Sequence, residues 1–549
     1  MSITSHFIAP DQEFDGAPLL RREVRLDAGH GAVSSATLQL SALGVCEAWI
    51  NGQPVSQDVL TPGWSSFEWR RRFAEYDVTA LVGGESLAIG VALGNGWHRG
   101  RLGWTGRSAF YGDELGAHVD LLLRFEDGHE QRVVTDHAWR AGASATTANE
   151  LYDGQSIDAR RVLDGWAAPG FDDGAWVGVH PVTTDATLEP YVGPAVRRQE
   201  ELPVVETWLS PSGKRLVDFG QNLVGWLRVR VRGEAGTVIT VRHAEVLEND
   251  ELGTRPLRTA AATDRFTLSG GDDEFEPTFT FHGFRYAEIE GWPGDFDPAA
   301  VTAVVVHSDL RRTGTFRSSE PLLDKLHDNV VWGMRGNFLD VPTDCPQRDE
   351  RLGWTGDIAA FAPTAVYLFD AQDFLRDWLR DLALEQQHQD GVVPYVVPDI
   401  LKHGGMPEEF LPMDSTAVWS DAGVWVPWSI WQAYGDETVL AEQYDSMTAH
   451  VRRVGSLLSP TGLWDRGFQF GDWLDPDAPP ENPAAAKADP GVVATICAYR
   501  SASLLATIAT ELGRTEDAAE FTALAGYKIL SVTLVGRYRG EASAEVEEA

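Results

Sequence analysis

What this sequence lacks narrows it quickly. It has only three cysteines in 549 residues, Cys46, Cys345 and Cys497, far apart and odd in number. That excludes a disulfide framework, suits a reducing compartment and offers no close-spaced zinc ligands. No stretch reaches 18 uninterrupted apolar residues, which argues against a membrane span. The opening Met1-Ser-Ile-Thr-Ser-His-Phe-Ile8 has no basic cluster followed by an apolar run, so no secretory signal is visible and a cytoplasmic location is expected. Basic residues are scarce: 45 against 82 acidic ones, a net charge of −37. Such a field repels nucleic acid and anionic membrane surfaces. Because the acidity is spread rather than blocked, its plain consequence is solubility.

What is present is ordinary apolar content, 43 %, and heavy use of tryptophan, 20 residues. Indole faces stack on sugar rings, but they also fill cores, so the count alone is a weak pointer. At about 150 residues per domain the length implies three or four domains. Residues 1–200 read as a β-sandwich: Ala36-Thr-Leu-Gln-Leu-Ser41 and Glu47-Ala-Trp-Ile50 alternate, a turn falls at Asn51-Gly52, and Gly83-Gly84 separates two more runs. A second β block spans 201–308, with strand periodicity at Leu216–Phe219, Gly225–Val231, Val238–His243 and Arg285–Glu290. Between these runs the polar stretch Glu245–Thr263 reads as a long loop, a kind of segment that often carries function.

From 309 to 549 the period becomes helical. Ser318, Ser319, Glu320 and Pro321 form a start signal, and Leu323, Leu326, Val330, Met334 and Phe338 follow at helical spacing. Further helices are predicted near 357–369, 371–388, 415–434, 437–457, 491–512 and 514–528. The segment from Gly526 to Gly540 breaks this pattern and drifts into an acidic tail.

One connection carries chemistry: Asp340-Val-Pro-Thr-Asp-Cys-Pro-Gln-Arg-Asp-Glu-Arg-Leu-Gly-Trp-Thr-Gly-Asp357. Pro342 and Pro346 disfavour regular helix, so this is a structured loop. Two readings stand on the residues alone: an active-site loop, or an acid–arginine network that stabilises a helix connection.

The run from Asp344 to Asp357 resembles the signature of the bacterial α-L-rhamnosidases, six-hairpin (α/α)6 glycosidases. Supporting similarity lies in Ala48–Gly52, Pro62–Trp64, Gly94–Trp97, Asp218–Asn222, Phe281–Tyr286, Trp419–Ala422 and Phe470–Leu474. The resemblance implies two N-terminal antiparallel β-sandwich domains, the second concanavalin-like, followed by an (α/α)6 toroid. It also implies removal of terminal non-reducing α-L-rhamnose by an inverting mechanism, with rhamnose-containing glycosides as partners and no metal or organic cofactor. Carried over residue by residue, Asp344 and Arg348 hydrogen-bond rhamnose hydroxyls and Glu350 is the general acid. Trp354, with Trp419 and Trp473, walls the ring and methyl group, and Asp357 binds a further hydroxyl. Asp349, Arg351 and Cys345 take structural roles.

The chemistry fits these residue types. A carboxylic acid delivers a proton to the leaving oxygen while a second carboxylate, about 6.5–9.5 Å away, activates water from the opposite face. About seven predicted helices fall short of the twelve in a toroid, so the chain is expected to be incomplete there and to lack the family's general base, with hydrolysis correspondingly slow. Asp421 and Asp472 are the nearest leftover acids. A non-catalytic carbohydrate-binding remnant and another (α/α)6 exo-glycosidase are the competing readings, and a homo-oligomer stays open.

Overall fold

The computed structural model describes residues 7–538 apart from 407, 412 and 480. The chain divides into two units, one of residues 1–309 with 316–351, the other of 310–315 with 352–549.

The first unit begins as a sandwich because its strands alternate. Val33–Leu43 pairs antiparallel with Gly116–Phe125 on one side and Arg70–Asp77 on the other, placing Leu40 beside Val119 and Ala74. The facing sheet contains Leu19–Arg25, Ser86–Gly94 and Val45–Ile50. Inward residues of both layers, among them Leu38, Ile50, Ile89, Leu121 and Trp139, form one core. Asn51 and Gly52 both have positive φ, 53° and 78°, the geometry that lets a two-residue turn follow strand twist.

The second sheet is organised by one long strand, Arg215–Arg232, which pairs with His282–Glu290 and Val301–Ser308. Its core includes Val217, Leu227, Phe266 and Phe284. Three features depart from expectation. Strands Thr146–Glu150 and Gly154–Asp158, which a break at residue 200 assigns to the first sandwich, belong to this sheet, and the latter runs parallel to Thr263–Thr267. Neither strand alternates apolar with polar residues, so nothing local marks the sheet that it joins. Thr187–Pro190 also lies parallel to Arg70–Asp77, so the sandwiches are not wholly antiparallel. Finally, Glu245–Thr263 is not all loop: it folds into a hairpin, Val246–Glu248 with Glu251–Gly253, turned by Asn249 and Asp250 at positive φ.

Helix Pro321–Asn337 begins where the sequence signals it, with the Glu320 carboxylate accepting from Leu322 N–H and Pro321 at the first position. Of the apolar stripe read as its core face, Met334 and Phe338 are buried, but Leu323 and Leu326 are exposed. The period locates a face; only packing decides how much of it is covered.

Among its described residues the second unit holds six α-helices: Thr355–Leu368, Gln372–His388, Ala422–Tyr434, Thr438–Leu457, Pro490–Glu511 and Thr515–Tyr538. Leu379, Leu382, Val426, Met447, Leu505 and Ile508 are fully buried among them. Pro490–Glu511 is long and apolar enough by composition to cross a membrane, and here it packs against the neighbouring helices. The backbone stays helical through Tyr538, where a break was expected from Gly526, and no proline interrupts the segment. The acidic tail, 541–549, lies outside the described residues.

Burial shapes the response to acid. His98 and His243 are pushed down to about 3 and His307 to about 4, chiefly because burial penalises the imidazolium. Unfolded imidazoles protonate near pH 6.5, so below that pH the unfolded chain binds more protons and stability falls. Glu150 and Glu385 oppose this. Burial lifts both carboxyls to about 7, so acidification from pH 7 towards an ordinary carboxyl pKa favours the folded form. Stability should therefore vary little from pH 7 to 4.5 and fall steeply below. Glu385→Gln removes one opposing group and is expected to steepen the loss above pH 4.5, read from denaturation midpoints at pH 7, 5.5 and 4.5. A variant midpoint that rises on acidification would contradict this.

Candidate active site

The loop after Pro321–Asn337 is tied down at both ends. At its start, buried Asp340, at φ 69°, accepts from the Trp64 N–H and pairs with buried Arg72 at 2.5 Å. Gly63 passes so close that a Cβ would sit 2.1 Å from the Asp340 carboxylate, which only glycine allows. At its end, fully buried Arg351 donates to four carbonyls: Leu151 at 2.8 Å, Phe281 at 2.7 Å, and Gln347 and Arg348 at 3.0 Å. Burial lowers Arg351 to about 10, which leaves it charged at neutral pH. The structural role expected of Arg351 is what the geometry gives it. Cys345 is buried too, its Sγ accepting from the Arg351 N–H, and burial raises its thiol well above the usual range.

Between these anchors the acids and arginines interlock. Arg348 donates through Nε to Glu350 Oε2 at 2.9 Å and pairs with Asp344 Oδ2 at 3.0 Å. Glu350 is only 8 % exposed. Tyr152 Oη donates to the Glu350 carbonyl at 2.6 Å. Two partners come from the polar stretch of the second sheet. Arg258 NH1 reaches Glu350 Oε2 at 3.0 Å and lies 3.8 Å from Asp349 Oδ1, while Thr259 bonds the other oxygen of Asp349. The backbone of Arg258 is held at φ 57°, ψ −110°, a conformation that costs energy and that surrounding contacts must sustain. No pattern in the sequence pointed to Arg258, Thr259 or Tyr152; the only signal was that their neighbourhood is polar and turn-rich.

Asp344, Cys345 and Glu350 bring ligand atoms within 4.8 Å of one another. Both carboxylates are engaged by Arg348, so in this group the positive charge is supplied by the guanidinium. A second close group, His243, Asp264 and His282, is fully buried. Its imidazoles stack with centroids 4.2 Å apart and planes at 17°. Parallel rings cannot both aim in-plane lone pairs at one ion. His282 Nε2 instead faces Asp264 at 3.2 Å.

In the helical unit, Trp354, Trp419 and Trp473 surround Phe470, with ring centroids 6.4, 4.1 and 5.4 Å from it. Trp419 is buried, and its Nε1 has no hydrogen-bond partner among the described residues. A Cβ on Gly356 would come within 2.5 Å of that indole, so Gly356→Ala is expected to displace Trp419 and cost about 1–3 kcal/mol, seen in fluorescence-monitored unfolding. Asp357 is exposed in the first turn of Thr355–Leu368, where a negative charge complements the helix dipole. Asp421 is fully buried, engaged by the Val418 N–H, His450 and Ser501, and Asp472 is exposed.

Three family descriptions match in the order in which these elements occur. The α-L-rhamnosidase N-terminal domain covers residues 31–200, the bacterial α-L-rhamnosidase concanavalin-like domain 209–307, and the bacterial α-L-rhamnosidase 6 hairpin glycosidase domain 311–530. The chain belongs to the bacterial α-L-rhamnosidase family. An α-L-rhamnosidase of Streptomyces avermitilis is 41 % identical over 510 residues, 92 % of this chain and 47 % of that protein. One of Formosa agariphila is 35 % identical, over 90 % of this chain and 52 % of its own. Among solved structures, native α-L-rhamnosidase from Aspergillus terreus superposes with a TM-score of 0.91 at 42 % identity, covering 97 % of this chain and 61 % of that one. The S. avermitilis α-L-rhamnosidase complexed with L-rhamnose gives 0.87 at 39 % identity, covering 95 % and 49 %. The chain thus spans about half the length of the curated relatives it matches. The rhamnosidase architecture, β-rich domains followed by a six-hairpin helical domain, is the one expected.

Proposed function

We propose that this chain acts on terminal α-L-rhamnose, with Glu350 as the acid that protonates the departing glycosidic oxygen. The observation that carries this reading is the buried carboxyl of Glu350, set among Asp344, Arg348 and Arg258 in a loop anchored at both ends. Asp344 and Arg348 are assigned to sugar hydroxyls. When a sugar engages Arg348, the guanidinium turns from Glu350 to the ligand, and the carboxylate so released takes a proton from solvent, which it then passes to the leaving oxygen. In the helical unit, the tryptophans around Phe470 are assigned to the ring and methyl group, and Asp357 to a hydroxyl. Inversion of configuration is part of the reading, with water activated from the face opposite the acid. No acid among the described helical residues is assigned as that base: Asp421 is committed to the core.

The test is a panel of aryl glycosides offered to the purified chain. Rhamnoside turnover above that of the matching glucoside and glucuronide is expected, and the first-formed sugar should be the β-anomer by NMR. Preference for either other glycoside rejects the substrate class, and α-anomer formed first rejects inversion. Rhamnose binding without turnover, unchanged in Glu350→Gln, would assign a binding role instead.

A further inference from the structure

We propose that the cleft lined by Trp49, Glu276 and Arg228 in the β unit is a second saccharide site, which takes a neutral mono- or disaccharide portion of a glycan. The cavity holds about 410 Å³, within the range of small-molecule sites. The first sandwich supplies one wall, through Glu47, Trp49 and Asp58; the second sheet supplies the other, through Arg198, Arg228 and Glu276. None of the motif residues from Asp344 to Glu350 lines it, so the proposal stands apart from the acid assigned above.

Three observations specify the ligand chemistry. First, Trp49 lines the cavity and is braced edge-on against Trp166, with centroids 5.3 Å apart, which offers a fixed indole for the apolar part of a sugar ring. Second, the polar groups are already oriented. Glu276 accepts from Arg198 Nε at 2.5 Å, Arg228 Nε at 3.1 Å and Trp226 Nε1 at 3.0 Å. Asp58 accepts from Tyr76 Oη at 3.0 Å and Arg197 Nε at 2.7 Å. Fixed carboxylates and guanidinium groups side by side present acceptors next to donors, the pattern that vicinal hydroxyls satisfy because each both donates and accepts. Third, the lining carries Glu47, Asp58 and Glu276 against Arg198 and Arg228. With the chain at −37 overall, this near balance tips acidic and disfavours anions such as uronates.

The experiment titrates the full chain, carrying Asp344→Ala to silence the motif loop, with methyl α-L-rhamnoside, methyl β-D-glucoside, methyl α-D-galactoside and D-glucuronate, followed by calorimetry and saturation-transfer NMR. At least one neutral glycoside should bind, with affinity falling tenfold or more in Trp49→Ala and in the near-isosteric Glu47→Gln. Should Trp49→Ala fail to fold by near-ultraviolet dichroism, Glu47→Gln decides alone. Absence of neutral-sugar binding, affinity unchanged by Glu47→Gln, or tighter binding of glucuronate overturns the proposal.

Discussion

Glu350→Gln should slow hydrolysis of an α-L-rhamnoside by about 100- to 10,000-fold, the usual weight of a positioned proton donor. That is about 3–5 kcal/mol of transition-state stabilisation. Glutamine keeps the size of the side chain and an oxygen that can accept from Arg348 and Arg258, so KM should change little and the loss should fall on kcat. What it cannot supply is an acidic proton. The deficit therefore ought to depend on the aglycone: small for a nitrophenyl group, which leaves readily unprotonated, and large for an alkyl group, which does not. Loss within tenfold for both aglycones would remove residue 350 from the acid role.

The second large effect concerns stability. Arg351→Leu strips partners from four main-chain carbonyls in three separate segments, Leu151, Phe281 and the Gln347–Arg348 turn. Each orphaned buried group costs about 1–3 kcal/mol, and some relaxation is expected, so a net loss of about 4 kcal/mol or more follows. The guanidinium also packs 4.9 Å from the Tyr152 ring centroid and 4.8 Å from that of Phe281, contacts that leucine replaces poorly. Arg351→Lys should lose less but still be destabilised, because an ammonium cannot span four acceptors as a planar fork does. Denaturant unfolding followed by tryptophan fluorescence reads both variants. A loss under about 1 kcal/mol for Arg351→Leu would mean that the carbonyls find other partners.

Much of this was legible before the structure, and for physical reasons. Asn51-Gly52 announces its turn because few residues tolerate positive φ. The motif loop announces itself because prolines flank a dense run of acids and arginines. What stayed hidden depends on long-range pairing. Arg258 meets Glu350 across 92 residues of chain, a contact with no periodicity to reveal it. Leu323 and Leu326 obey the helical period yet remain exposed, and residues 146–158, which show no alternation of apolar and polar side chains, join a sheet built chiefly from later sequence. The hairpin at Val246–Gly253 was missed because Asn249-Asp250 is a weaker turn signal than a pair containing glycine.

The companions of Glu350 bear on protein engineering. Arg258, Thr259 and Tyr152 all precede the helical segment in sequence, yet they hold the side chains or backbone of Asp349 and Glu350. A chimera spliced near residue 310, grafting the helical portion onto a foreign β scaffold, would carry the intact acidic motif and leave its guanidinium, hydroxyl and phenol behind. Recombination among homologues should therefore tolerate crossovers elsewhere more readily than at that seam, unless the donor scaffold supplies equivalents of all three.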